Sequence, residues 1–216
     1  MSEIGLFEAI HTLRSMRRLK PDPVPRAVLR QVLEAGTKAP NGQNTQPWAF
    51  VVVQDLGGKK FLQEHYHQAM IQRFGLLQPK PEDRSPRARI TRAAVHLAEH
   101  LHEVPVLLLV CGRRDWPAAV PKAKREGKAP PSYGSIYPCV QNILLACRGL
   151  GLGATLTTMH QFFEDELHER FAIPREYGVV VIIPIGYPQG KFGPTSRRPV
   201  ADLTHFDQWG SQDFSF

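Results

Sequence analysis

Runs of apolar residues and helical repeats alternate along this chain, and each change of period marks an element. Leu6, Ile10 and Leu13 fall on one face of a short helix that breaks into the basic run Arg14-Ser15-Met16-Arg17-Arg18. Pro21, Pro23 and Pro25 fix φ and enforce an extended connector. A second helix starts near Pro25, with Val28, Leu29, Val32 and Leu33 at helical spacing, and stops around Gly36. Residues 48–54 (WAFVVVQ), 104–111 (VPVLLLVC) and 179–185 (VVVIIPI) are predicted buried strands. Helices are expected over residues 57–73 and 93–103, and an amphipathic one over 162–171. The Pro- and charge-rich stretches 78–92 and 117–131 read as surface excursions, the first a cover. Residues 135–148 are apolar on nearly every side (Ile136, Tyr137, Val140, Ile143, Leu144, Leu145), as in a helix of a core or a subunit interface. Beyond Gly186 the pattern fades, and the chain ends in Phe206, Trp209, Phe214 and Phe216, rings that need another surface, such as a second subunit. Alternating helices and strands give an α/β or α+β class, with no internal repeat.

Composition narrows this picture. The 216 residues are 42% apolar and 22% charged, which suits one domain or one subunit of a small oligomer. Lys and Arg number 27 against 20 acids, a net charge of +7, which favours an anionic partner: nucleic acid, anionic lipid or a phosphorylated cofactor. Cys111, Cys139 and Cys147 are an odd set without a CxxC, which disfavours a disulfide framework or zinc ribbon and points to a reducing, cytoplasmic compartment. No signal-peptide pattern is read at the N-terminus, and the apolar runs fall far short of the ~20 residues of a membrane helix. No membrane partner is expected.

Several chemical fingerprints fail on inspection. Gly149-Leu150-Gly151-Leu152-Gly153 is not GxGxxG and follows a helix, so it is no Rossmann turn. Gly186 to Lys191 is one residue short of a P-loop and lacks the following Ser or Thr. His96, Glu99 and His100 match the HxxEH pattern of a zinc hydrolase, but a solvated helix face explains them as well; no metal is expected. A basic nucleic-acid binder is a third class. More specific are Arg14, Ser15 and Arg17, whose forks and hydroxyl just past a helix end suit a phosphate dianion, with Arg197 beside Arg198 as a second clamp. The amide-dense turn from Asn41 to Gln46 either satisfies its own backbone or reads the polar edge of a heterocycle.

Ala39-Pro40-Asn41-Gly42-Gln43-Asn44-Thr45-Gln46-Pro47-Trp48 resembles the PSSxNxQPW signature of the nitroreductase family of FMN-dependent oxidoreductases. Arg14-Ser15-Met16-Arg17-Arg18-Leu19 resembles that family's R-S-x-R-R-F motif. The segment 149–158 (GLGLGATLTT), the strand before Gly186-Tyr187-Pro188, and Arg197-Arg198-Pro199 follow in family order, so only residues 56–130 match poorly. The resemblance implies an α+β, three-layer α/β/α fold with a central mixed sheet flanked by helices. Residues 1–216 would form one domain, with a variable cover around 56–130 and a C-terminal arm, 187–216, embracing the partner subunit. It also implies a homodimer with flavin sites at the interface. Arg14, Ser15 and Arg17 would hold the FMN phosphate end, with Arg197 closing over it. Asn41, Gly42, Asn44 and Gln46 would reach the same flavin from the other subunit. Leu156, Thr157 and Thr158 would lie beside the ring, the Thr158 N–H a donor to flavin N5. Leu13 and Thr195 stand where many relatives carry further basic residues. The implied chemistry needs no catalytic side chain: hydride passes from NAD(P)H through N5 to a nitroaromatic, quinone or enone-type acceptor by a ping-pong mechanism. A related branch cleaves FMN to dimethylbenzimidazole, and the tail from Arg198 to Trp209 is similar to it. That branch carries an acidic residue where this chain has Ser15, which favours the reductase.

Overall fold

The two longest apolar runs pair with each other at the centre of one sheet. The structure, a computed structural model, describes residues 4–75 and 79–212. Strands β1 (Trp48–Val53), β2 (Val106–Arg113), β3 (Gly153–Ala154) and β4 (Tyr177–Gly186) lie in the order β1-β2-β4-β3, and every pairing among them is antiparallel. The expected mixed sheet is therefore corrected to an antiparallel one. Continuous apolar runs signal burial on both faces, which parallel strands usually need but antiparallel strands also satisfy when helices cover both sides.

Among the described residues, six helices supply that cover: α1 (Leu6–Thr12), α2 (Arg26–Thr37), α3 (Leu56–Phe74), α4 (Pro86–His100), α5 (Tyr133–Gly149) and α6 (Glu164–Arg170). Alternate residues of β2 face opposite layers, as period 2 requires. Val106, Leu108 and Val110 pack with α2 and α5, through Val32, Val140 and Ile143. Leu107, Leu109 and Cys111 pack with α3, α4 and α6, through Leu62, Leu97 and Leu167. The result is three layers, α/β/α. A bulge opposite Val110 and Cys111 admits Val180 as an extra residue, so Val180 and Val181 both join the α2/α5 layer.

Local departures have local causes. Residues 86–92 are the first half of α4 rather than excursion: Pro86 occupies the first turn, and Ser85 Oγ accepts from Ala88 N (3.1 Å) as its cap. The helix expected over 162–171 shortens to α6, because Phe163 (φ −148°) interrupts the turn before it. Leu6 and Ile10 of α1 are exposed, and only Ala9 of that helix is buried. Residues 117–131 are irregular apart from a turn at 117–120, a short helical turn at 122–124 and a bridge from Pro131 to Arg114. Phe214 and Phe216 lie outside the described residues. Among the described residues, no helix is long and apolar enough to cross a membrane.

Candidate functional site

The N-terminal basic run is seated on the sheet edge by close backbone contact. Met16 N donates to Ala154 O (3.0 Å), Lys20 N to Tyr187 O (2.7 Å), and Gln189 N to Arg18 O (3.0 Å). Gly153 makes the approach possible, since a Cβ there would stand 2.7 Å from Leu19 Cδ2 and 2.9 Å from Met16 Cβ. Arg148, almost fully buried, anchors the preceding helix: Nε donates to Thr12 Oγ1 (2.9 Å), and the guanidinium lies 4.3 Å from the Phe192 ring centre. With Met16 turned into the core, Arg14 and Ser15 remain exposed and Arg17 half-buried. Thr195 N donates to His11 O (3.3 Å), which brings the segment carrying Arg197 beside the same corner.

The strip 155–158 runs next to this strap. Thr157 exchanges both backbone bonds with Ile182 (3.0 and 3.1 Å) and donates its hydroxyl to Ile182 O (3.1 Å). Its polar atoms are thus engaged with β4, which leaves it a scaffold residue. Leu156 and Thr158 are half-exposed, and among the described residues the Thr158 N–H donates to no protein acceptor. Thr155 Oγ1 is buried without a partner among the described residues. Beneath the strap Tyr66 of α3 is buried between Arg17 and Thr157. Burial pulls the Arg17 guanidinium below its ordinary pKa and pushes the Tyr66 phenol above its own. Sequence reading missed Tyr66 and Thr155; Tyr66 repeats with Leu62 on the core face of α3, so nothing in the pattern separates it from packing.

The amide turn lies elsewhere. Gln43, Asn44 and Gln46 all have positive φ (53°, 54°, 47°), a concentration of left-handed non-glycine residues that marks functional loops. Asn41 holds the turn itself, accepting from Gln46 N at Oδ1 (2.8 Å), so its side chain is committed to the loop. The side chains of Asn44 and Gln46 are exposed. Gly42 N donates to Ser135 Oγ (3.4 Å) at the start of α5, whereas Arg148, near its end, holds α1. At 1.5 Å per residue these anchor points are about 20 Å apart. The sheet agrees: Trp48 pairs with Gly112, which pairs with Gly178, and Gly153 pairs with Gly186. Along β4 that separation is about 26 Å. One chain therefore gathers Arg14, Ser15, Arg17 and Arg197 at one corner, runs Leu156, Thr157 and Thr158 from it along β4 as far as Ile182, midway between the two ends, and leaves Asn41, Gly42, Asn44 and Gln46 at the other corner.

The zinc alternative finds no such convergence. His96 and His100 stack on each other (centroids 4.3 Å apart), and His100 Nδ1 pairs with Glu103 Oε1 (2.9 Å) rather than with Glu99. No group of three metal-ligating side chains comes together among the described residues.

A model of the Nitroreductase family matches residues 10–187. The chain belongs to the nitroreductase family. It is an oxidoreductase of that family, similar to an NADH dehydrogenase of Thermus thermophilus (28% identical, 87% of this chain and 88% of the relative). It is equally similar to an iodotyrosine deiodinase of Thermotoga neapolitana (28% identical, 85% and 88%). Among solved structures, an oxidised iodotyrosine deiodinase bound to FMN and 3-iodo-L-tyrosine superposes with a TM-score of 0.74 (24% identical, 95% of this chain and 100% of that one). A BluB-like flavoprotein from Clostridium difficile gives 0.69 (21% identical, 95% and 100%). These two likenesses are of fold.

An FMN group fits the residues at the strap corner. Among the described residues, the Thr158 N–H and Thr155 Oγ1 are without protein partners and offer polar atoms beside a ring, and Arg14 and Arg17, in no ion pair, offer with the exposed Ser15 a phosphate seat.

Proposed function

We propose that this nitroreductase-family protein is a homodimeric, cytoplasmic FMN enzyme that moves hydride from NAD(P)H to a small nitroaromatic, quinone or enone-type acceptor by a ping-pong mechanism. The observation that carries the reading is the separation of the two motifs. Both belong to one flavin site by resemblance, yet they stand farther apart in one chain than an FMN is long. A second copy joins them, Asn44 and Gln46 of one subunit meeting the strap of the other. Leu6 and Phe7 on α1 are 64% and 72% exposed, and the outer edge of β1 is unpaired among the described residues; both need such a partner. Trp209 is 91% exposed, which fits an arm over 187–216 that reaches across the dimer, with 1–216 acting as one domain and 56–130 as its cover.

When bound, FMN supplies two-electron chemistry at N5, accepting hydride and passing it on. The chain's part is to hold and orient it. Arg14, Ser15, Arg17 and Arg197 would take the phosphate by charge-assisted bonds. The Thr158 N–H would offer a donor to the ring and Leu156 would pack against it, while Thr157 keeps both in register with β4 through its bonds to Ile182. Ser15 cannot serve unaided as a base near neutrality, so the flavin is returned intact rather than fragmented.

The test is absorbance and light scattering of the purified protein, followed by aerobic turnover. A yellow dimer that oxidises NAD(P)H and regenerates FMN is expected. A flavin-loaded monomer refutes the shared site, and stoichiometric dimethylbenzimidazole in the mixture refutes the reductase.

A further inference from the structure

The two jaws of the proposed phosphate clamp come from opposite ends of the chain, and each is lightly held. Ala9 is the one buried residue of α1, the helix that leads into Arg14. Between Gly190 and Arg198 the backbone makes, among the described residues, a single hydrogen bond to the rest of the fold, Thr195 N to His11 O (3.3 Å). Leu13 and Thr195 carry no charge, so a phosphate at this corner depends on Arg14 and Arg197 being kept in place.

Arg148 is the buried group that touches both jaws. It leaves the last turn of α5 and is 9% exposed. Toward α1, its Nε donates to Thr12 Oγ1 (2.9 Å) and Nη2 lies 3.5 Å from Glu8 Oε1. Thr12 spends its own proton on Glu8 O (2.6 Å), so its oxygen is free to accept from Arg148. The end of α1 is thereby fastened to α5 two residues before Arg14. Toward the arm, the guanidinium carbon lies over Phe192, 4.3 Å from the ring centre and within cation–π range, five residues before Arg197. A planar guanidinium can donate from its edge and cover a ring with its face at the same time, whereas an ammonium is a compact point charge.

We propose that Arg148 is a positioning residue, a latch that holds α1 and the C-terminal arm against α5 and so sets the spacing of Arg14 and Arg197 around a phosphate monoester. The inference rests on the flavin reading above and concerns the phosphate end alone. A flavin without its phosphate gains nothing from the latch.

The full chain, freed of flavin, is titrated with FMN and with riboflavin, which lacks the phosphate, and the ratio of the two dissociation constants is read. Thr12→Val removes the acceptor on α1, and Phe192→Leu removes the ring on the arm. Both side chains are half-exposed, and both variants keep the charge of Arg148. Each is expected to weaken FMN binding about five- to tenfold and riboflavin binding less than about twofold. Arg148→Lys, which keeps the charge and loses the fork, is expected to do the same. A wild-type ratio in either Thr12→Val or Phe192→Leu overturns the double latch. So does a wild-type ratio in Arg148→Lys, since charge alone would then suffice. Equal weakening of both ligands also overturns it, because a merely structural role lowers the two affinities alike. A wild-type protein that binds neither ligand, or binds FMN no better than riboflavin, overturns the functional reading itself, and the inference falls with it.

Discussion

Replacing Gly153 by Ala tests whether the strap is what the sheet edge holds. The new Cβ would stand 2.9 Å from Met16 Cβ, 2.7 Å from Leu19 Cδ2 and 3.2 Å from Pro188 Cβ. Leu19 can swing its methyl aside, but Met16 Cβ moves only with its backbone. Restoring a carbon–carbon separation of about 3.7 Å requires the strap to shift by roughly 0.8 Å. That stretches the Met16 N to Ala154 O bond from 3.0 Å and carries Arg14, Ser15 and Arg17 with it. Overpacking costs about 1–3 kcal/mol and a weakened hydrogen bond up to about 1 more. A total near 2–3 kcal/mol in a chain of this size lowers Tm by about 5–10 °C. FMN affinity, followed by quenching of flavin fluorescence, should weaken about tenfold as the phosphate ligands move out of place. Gly149→Ala is the control: outside its own helix turn and chain neighbours its Cβ would meet nothing within 4 Å, and the residue is exposed at the end of α5. It should leave Tm and FMN binding near wild type. If Gly153→Ala melts and binds FMN like wild type, the strap is not seated on β3 and the assembly of this half of the site is wrong.

Arg14→Ala and Arg197→Ala should each weaken FMN binding about ten- to a hundredfold, the worth of one charge-assisted fork, and excess FMN should restore most turnover in steady-state assays. His160 is buried, which pulls its pKa from 6.5 down to about 4, with Glu164 and the Val179 backbone opposing. Above pH 6.5 the group is neutral in both states and costs nothing. Between 6.5 and 4 the unfolded chain binds a proton that the folded chain refuses, so stability should fall by about 1.4 kcal/mol per pH unit, reaching roughly 3 kcal/mol. Denaturant melts across that window should show the slope in wild type and lose it in His160→Gln. Burial pushes the thiols of Cys111 and Cys147 up to about 12 and that of Cys139 to about 11, so none should react with a thiol reagent at pH 8 until the protein unfolds.

Much of the frame was legible along the chain because hydrophobic periodicity reports burial. The runs that became β2 and β4 are apolar at every position because helices cover both faces. α2 and α5 were visible for the same reason, the one by its stripe and the other by its lack of a polar face. The motif residues were legible as residue types that bind phosphate and amide edges. What periodicity cannot report is the partner. It gave no sign that the strands run antiparallel, since a strand covered on both faces looks alike in either direction. It hid the start of α4, where an arginine-rich face outweighed the Ser85-Pro86 cap. Nothing along the chain distinguishes Tyr66 and Thr155 from their neighbours, because their meaning lies in what α3 and the strip after β3 place beside Arg17. Above all, residues 14–17 and 41–46, some 25 positions apart in sequence, stand at opposite ends of α5 and of the sheet. Separation along a chain says nothing of distance across a fold, and only the tertiary structure decided that a single copy of this protein holds two half-sites rather than one whole one.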